Sequence, residues 1–120
     1  MKVLVCGGRN YNNQKEMMEV LQKMFDPDDT VTLIHGDAKG ADRLSEQVLT
    51  GYFHGGFEVK KFPADWNTHG KKAGIIRNAQ MLKEGQPELV VAFWDGKSIG
   101  TGNMIKQAEE AGIPVKVVEI

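Results

Sequence analysis

The sequence has a single cysteine, and it lacks metal-binding histidine patterns and long apolar runs. The one cysteine, Cys6, excludes an internal disulfide and is typical of a reducing compartment. Because Cys6 lies in an apolar run, we expect a buried, unreactive thiol. No apolar stretch is long enough to span a membrane and no signal peptide is recognisable, so we expect a cytoplasmic protein with no membrane partner. The 15 basic and 16 acidic residues argue against an extended nucleic-acid surface.

Five short apolar runs, most of them rich in valine, indicate β-strands. They are Lys2–Cys6, Thr30–His35, Phe57–Phe62, Glu88–Trp94 and Val115–Glu119. The runs "VLV", "LVVAF" and "VKVV" predict strands that are covered on both faces, as in a parallel sheet.

Four segments between these runs carry apolar residues at helical spacing. The four stripes are Met17, Leu21 and Met24; Ala41, Leu44 and Val48; Ile75, Ala79 and Leu82; and Met104, Ile105, Ala108 and Ala111. Asn13, followed by Glu16, predicts the N-cap of the first helix. Gly112 and Pro114 predict the end of the last helix.

The alternation of strands and helices predicts a single α/β domain over residues 1–120. Right-handed crossovers place helices on both faces of a parallel sheet. We therefore expect a three-layer Rossmann-like domain whose mainly parallel, five-stranded sheet has the order 3-2-1-4-5.

Glycine is concentrated in the four predicted strand-to-helix loops. These loops are "GGRNYNN" (7–13), "GDAKGAD" (36–42), "PADWNTHGKK" (63–72) and "DGKSIGTGN" (95–103). In a parallel sheet such loops share the carboxyl edge, where ligands bind. Glycine lets backbone N–H groups approach an anion, and a helix N-terminus supplies unpaired donors. The sequence therefore predicts an anion-binding pocket at this edge.

The first and fourth loops offer the phosphate contacts. The Gly100-Thr101-Gly102 turn opens the last predicted helix, and Gly7-Gly8-Arg9 adds a second close approach and a cation. Tight turns, and helix capping by Thr101 or Asp42, are the structural alternatives. The chain contains neither a GxGxxG after the first strand nor a GxxxxGK[ST], so the ordinary dinucleotide fingerprint and the P-loop are absent.

Other polar positions have two interpretations each. Trp66 either stacks on a nucleobase or covers the core, and Asp65 beside it accepts from a base or ribose. On a helical wheel Arg77 points away from the apolar stripe, which favours a solvated arginine. Asn78 lies close to that stripe and needs hydrogen-bond partners.

Three aspartates are candidates for chemistry. Asp37 with Asp42, or Asp95, offers oxygen ligands for Mg²⁺, although carboxylates at strand ends also act as structural caps. The scattered histidines predict no zinc site, and no other cofactor is indicated. If the protein is an enzyme, its catalytic candidates are Asp37, Asp42, Arg77 and Asp95. Asp95 is also a candidate ligand contact.

The segments "VCGGRNY", "HGDAKGAD", "FPADWNTHGKKAGIIRNAQML" and "VVAFWDGKSIGTGNMIKQAEEAGIPV" resemble the YspA-type, cpYpsA-related branch of the SLOG superfamily. These Rossmann-like proteins are related to Lonely Guy phosphoribohydrolases and DprA-type domains, and the likeness runs from residue 3 to 118. It implies that a nucleotide or nucleotide-derived molecule binds to Gly7, Gly8, Arg9, Gly36, Asp37, Gly40, Asp42, Asp65, Trp66, Arg77, Asn78, Gly100, Thr101 and Gly102. Relatives often form dimers, so we expect a homodimer or higher homo-oligomer.

One departure from the Lonely Guy pattern bears on catalysis. Those enzymes have a glutamate three residues after the glycine–threonine pair, and Met104 stands there in this chain. Methionine neither stabilises a developing ribosyl cation nor activates water. We therefore expect nucleotide binding. The alternatives are an N-glycosidase or phosphoribohydrolase that uses an aspartate and, if the gene is viral, a protein of the host cytoplasm that sequesters immune signalling nucleotides.

Overall fold

The computed structural model describes all 120 residues as one α/β domain. Its strands are β1 (Lys2–Gly7), β2 (Val31–His35), β3 (Phe57–Lys61), β4 (Leu89–Trp94) and β5 (Val115–Glu119). All neighbouring strands pair in parallel, in the order β3-β2-β1-β4-β5. The predicted fold class and strand order are therefore confirmed.

Five α-helices connect the strands. They are α1 (Gln14–Met24), α2 (Ala41–Leu49), α3 (Trp66–His69), α4 (Ala73–Gln80) and α5 (Ile99–Glu110). A 3₁₀ turn at Gly70–Lys72 joins α3 to α4, and a π-helical turn at Met81–Gly85 extends α4. The predicted cap is confirmed, since Oδ1 of Asn13 accepts from the N–H of Glu16 at 3.1 Å. No helix has the length and apolarity that a membrane crossing requires.

The core forms two layers because successive residues of β1 point to opposite faces of the sheet. Val3 and Val5 pack with α1 and α2, whereas Leu4 and Cys6 pack with residues of α5 and the π-helical turn. All four side chains are buried. This arrangement fixes the sheet between two helical layers and leaves its carboxyl edge open for the connecting loops.

The edge strand β5 differs from the expectation for "VKVV". In β5 only Val115 and Val118 are half-buried, and Val117 is 41% exposed. An edge strand has one hydrogen-bonded neighbour, and the helices here cover the central strands more completely. Apolar composition alone did not distinguish a central strand from an edge strand.

The apolar stripe predicted for the third helix is also wrong. Ile75 is 48% exposed and Ala79 lies on the surface, whereas Asn78 and Met81 are buried. Asn78 turns inward because its amide finds three hydrogen-bond partners there. Tyr52 and Phe53 are half-buried and pack edge-to-face with ring centroids 5.0 Å apart.

Candidate functional site

A cavity of about 840 Å³ opens at the carboxyl edge of the sheet. Its main walls are the β1–α1 loop (residues 8–13) and the β4–α5 loop (95–98) with the first turn of α5. β1 and β4 are neighbours in the sheet, and strand order reverses between them, which is where ligands bind in folds of this type. The cavity also reaches Trp66 and the inner face of α4.

The first turn of α5 presents unused backbone donors to this cavity. The N–H groups of Ile99, Gly100 and Thr101 have no acceptor within the protein, and the N-cap Ser98 makes no capping bond. The carbonyl of Ser98 accepts from Trp94 Nε1 at 3.0 Å. The carbonyl of Gly100 accepts from Asn78 Nδ2 at 3.1 Å. These two bonds fix the turn while its N–H groups stay free for an anion.

Neither packing nor backbone conformation within the chain requires glycine at Gly8 and Gly100. A Cβ atom built on either residue would meet nothing within 4 Å, and neither has a positive φ. Both residues line the cavity. The absence of a side chain leaves the backbone of both residues accessible from the cavity.

Four other predicted glycines are explained by packing within the chain. A Cβ on Gly7 would collide with Ala41 and Phe93, and one on Gly102 would crowd Trp94. Gly40, with φ +92°, lies against the backbone of the β1–α1 loop, and Gly36 is enclosed by two side chains of the site, those of Arg77 and Asp42. Of these four, only Gly7 lines the cavity.

Arg77 and Asn78 form a hydrogen-bonded chain across the cavity floor. Nη1 of Arg77 donates to the carbonyl of Gly36 at 2.6 Å, and its Nε donates to Asn78 Oδ1 at 3.1 Å. Asn78 in turn donates to Gly100. Arg77 is half-buried, and burial lowers its pKa while the charge of Asp42 opposes that shift. The expectation of a solvated arginine is therefore wrong.

The acidic residues of the β2–α2 loop (36–40) and the first turn of α2 have structural partners. Oδ2 of Asp42 accepts from the N–H of Gly36 at 3.1 Å and of Ala38 at 3.3 Å, and burial raises the pKa of this carboxyl. Asp37 has a φ of 53° and pairs with Arg43 Nε at 3.3 Å. Asp42 lines the cavity, and Asp37 does not.

Asp65 and Asp95 bond to their own loops. Asp65 caps α3 by accepting from the N–H of Thr68 at 3.1 Å and does not line the cavity. Oδ1 of Asp95 accepts from the N–H groups of Ser98 and Lys97, each at 2.8 Å, and these bonds lower its pKa. Asp95 does line the cavity. No three Asp, Glu, His or Cys side chains gather as a group that could hold a metal ion.

Trp66 and Arg9 form one side of the cavity mouth. The guanidinium carbon of Arg9 lies 5.2 Å from the centroid of the Trp66 ring, and the ring is 47% exposed. Ile75 on α4 and Ile99 on α5 are also exposed and line the same cavity. The mouth therefore combines a cation with an accessible aromatic and aliphatic surface.

Tyr11 and Glu16 are cavity residues that the sequence analysis missed as site residues. The buried Tyr11 hydroxyl donates to Glu16 Oε1 at 2.7 Å, and its ring packs against Phe93. Burial and this hydrogen bond raise the pKa of Tyr11. Glu16 forms no ion pair, and its second carboxylate oxygen accepts no hydrogen bond from the protein. The useful sequence signal was a glutamate in the first turn of a helix that follows a cavity-lining loop.

Two buried sulfur-containing residues complete the cavity floor. Met104 is 1% exposed and packs with Leu4 and Met81, so an apolar side chain stands at the position of the Lonely Guy glutamate. Cys6 is 7% exposed, which confirms the expected burial, and this burial raises the pKa of its thiol.

Comparison with known proteins identifies the family. The model of the YspA, cpYpsA-related SLOG family matches residues 1–69. The chain belongs to this SLOG family. The gene 61 protein of Mycobacterium phage D29 is 34% identical over 117 residues, which cover 95% of this chain and 93% of the phage protein.

The SLOG domain described here also has the fold of a larger protein. DNA processing protein A (DprA) from Streptococcus pneumoniae superimposes with a TM-score of 0.71 at 19% identity. The match covers 97% of this chain and 49% of the DprA chain, so the SLOG domain spans about half the length of DprA. At this level of identity the likeness shows the Rossmann-like fold alone.

Proposed function

We propose that this SLOG domain binds a nucleotide or nucleotide-derived molecule in the cavity at the carboxyl edge of its sheet. The observation that carries the proposal is the pair Gly8 and Gly100, which face the cavity although nothing within the chain requires glycine there. Membership of the SLOG family supports the same ligand class.

The phosphate is assigned to the first turn of α5. The free N–H groups of Ile99, Gly100 and Thr101 supply donors, and Arg77 supplies a nearby cation at the same cavity. A phosphate at a helix N-terminus gains both hydrogen bonds and a favourable electrostatic interaction. Gly8 and Arg9, which belong to the facing β1–α1 loop, line the cavity and complete the enclosure.

The nucleobase and the ribose are assigned to other side chains that line the cavity. The accessible ring of Trp66, together with Ile75 and Ile99, offers an apolar surface for a nucleobase. Glu16 is the acceptor for a ribose hydroxyl because one of its carboxylate oxygens is unused. This assignment replaces Asp65, which does not line the cavity, and Asp42, which is 5% exposed and bonds to its own loop.

Binding without cleavage is the function that these residues favour. Met104 provides no carboxylate, and Asp42 and Asp95 each accept two hydrogen bonds from backbone N–H groups. These bonds fix the orientation of both carboxylates, and those to Asp95 also lower its pKa, which weakens it as a general base. Cleavage by an N-glycosidase mechanism remains the alternative, and it predicts released base.

The phage relative favours one biological role for such binding, the sequestration of signalling nucleotides in an infected host cell. A sequestering protein needs a pocket that holds its ligand tightly without cleaving it, and Met104 leaves the position of the Lonely Guy glutamate without a carboxylate. Expression of the protein in cells with a nucleotide-signalled defence tests this role, since a sequestering protein lowers the free signal without degrading it.

Thermal denaturation with a panel of nucleoside monophosphates, NAD and cyclic nucleotides tests the proposed function. A ligand at about 100 times its dissociation constant adds roughly 2.7 kcal/mol to the stability and raises the melting temperature. Chromatography of the same mixtures should return the ligand intact. Released base or ribose phosphate would establish the enzymatic alternative, and no shift with any compound would contradict nucleotide binding.

A further inference from the structure

A second depression lies on the other side of the β1–α1 loop. It has a volume of about 450 Å³ and shares residues 9–12 of that loop with the main cavity. Its opposite wall is Lys39 and Gly40 with Arg43, Leu44 and Gln47 of α2. One short segment of chain, residues 9–12, therefore forms a ridge between two concave surfaces.

The charges around this second depression are all of one sign. Arg9, Lys39 and Arg43 line it, and no acidic residue does, although the whole chain has a net charge of -1. Arg9 and Lys39 form no ion pair. Only Arg43 is partly neutralised, because its Nε bonds to Asp37. A concave site with unpaired cations attracts anions.

Neutral donors reinforce the cations along the ridge. The backbone N–H groups of Arg9, Asn10 and Asn12 have no acceptor within the protein. The side-chain amides of Asn10, Asn12 and Gln47 also line the depression. Phosphate oxygens accept from amides and from guanidinium groups, so the lining matches a phosphoryl group.

We propose that the second depression binds a further phosphoryl group of the ligand, which is therefore a dinucleotide or longer oligonucleotide whose phosphates lie on both sides of the ridge. This inference rests on the proposed function of the main cavity. Arg9 is the link between the two surfaces, since it lines both and lies over Trp66. A mononucleotide would use the main cavity alone.

Calorimetry with matched ligands tests the inference. The probes are AMP, CMP, GMP and UMP, the four corresponding 5′-phosphorylated homodinucleotides, and inorganic phosphate. We expect the dinucleotide of the best-binding base to bind at least about tenfold more tightly than its monophosphate, with a steeper loss of affinity in salt. Inorganic phosphate should not reproduce this gain.

The double variant Lys39→Gln/Arg43→Gln removes two of the cations without touching the main cavity. It should lower dinucleotide affinity to that of the monophosphate and leave monophosphate affinity unchanged. Lys23→Gln/Lys106→Gln makes the same change of net charge on exposed residues outside both cavities, and it should affect neither ligand. Thermal melting of both variants establishes that they remain folded.

The two proposals fail in different ways. If a monophosphate binds but the dinucleotide binds no more tightly, or if Lys39→Gln/Arg43→Gln weakens both ligands equally, the second phosphoryl site is wrong and the main cavity stands. If no nucleotide of either length binds, both proposals are wrong.

Discussion

The guanidinium of Arg77 donates a 2.6 Å hydrogen bond to the carbonyl oxygen of Gly36, which lies 41 residues earlier in the chain. Through Asn78, the same guanidinium is connected to Gly100 at the start of α5. Arg77 thus joins the loop after β2 to the turn that presents backbone donors to the cavity. A residue that fixes both loops contributes to stability as well as to the site.

Replacing Arg77 by methionine keeps much of the side-chain volume and removes the charge and the donors. The carbonyl of Gly36 then loses its partner, and the buried Asp42 loses its nearby cation. We expect a loss of about 1–3 kcal/mol in the free energy of unfolding, measured by urea denaturation at neutral pH. Arg43→Met, at a 59% exposed side chain, is the control and should cost below about 1 kcal/mol. Equal effects would show that Arg77 has no special structural role.

The substitution Gly100→Ala separates binding from stability. A Cβ at this position meets no protein atom, and alanine favours a helix more than glycine does. We therefore expect unchanged or slightly higher stability, by up to about 1 kcal/mol, together with at least a tenfold loss of nucleotide affinity by calorimetry.

A matched control for this experiment is Lys106→Ala, at an exposed position on the same helix. It should leave affinity unchanged. If Gly100→Ala binds nucleotide as well as the unmodified protein does, close approach of the ligand does not explain this glycine and the phosphate assignment is wrong.

Glu16 should determine the preference for ribose. Its free carboxylate oxygen is assigned to a ribose hydroxyl, so the unmodified protein should bind a ribonucleotide more tightly than the 2′- or 3′-deoxy analogue. A hydrogen bond to a charged group contributes about 1.5–3 kcal/mol, which corresponds to roughly 10- to 150-fold in affinity. In Glu16→Ala we expect this difference to disappear, whereas Glu19→Ala, on the same helix outside the cavity, should retain it. An undiminished preference in Glu16→Ala would exclude the assignment.

The pair His35 and Glu46 predicts a specific pH dependence. Nδ1 of His35 accepts from the N–H of Asp37 at 2.9 Å, so Nε2 carries the proton that it shares with Glu46 Oε1 at 2.8 Å. This bond lowers the pKa of Glu46 below its usual 4.5. Ionised Glu46 therefore stabilises the fold above pH 4.5, and the stabilisation is lost as the pH falls through the lowered pKa.

Glu46→Gln should remove that part of the acid dependence. We expect the variant to be less stable by up to about 1 kcal/mol near neutral pH, with the difference shrinking as the pH falls below about 4.5. Urea unfolding, repeated at intervals of about one pH unit from about pH 3 to 7, measures this difference in stability. Glu19→Gln, at an exposed glutamate without a partner, should follow the unmodified protein. If the two proteins differed in the free energy of unfolding by the same amount at every pH, the charge of Glu46 would not be the cause of the difference.

The fold was predictable because its signals are local and repeated. Valine-rich runs mark β1 and β4, and the N-cap at Asn13 follows from residues three positions apart. Because the connections between parallel strands are right-handed, few strand orders are then possible. The burial of β5 was not predictable in this way, because the position of a strand at the edge depends on the whole topology.

The site was predictable as a set of loops but less so as individual side chains. Gly8, Gly100 and Trp66 line the cavity as expected. Asp37 and Asp65 do not, since each bonds to its own segment, and an aspartate that caps a turn looks the same in sequence as one that faces a ligand. Glu16 was missed because its role depends on Tyr11, whose orientation is set by packing against Phe93.

The hydrogen-bond donors at the start of α5 are backbone N–H groups, and this has a consequence for the pH dependence of binding and for sequence variation. A peptide N–H does not titrate, so these donors stay available at every pH at which the fold survives, and any pH dependence of phosphate binding should come from the phosphate and from ionisable side chains. Among the natural residues only proline lacks this donor. Side chains in that turn other than at Gly100 can therefore change without removing these donors.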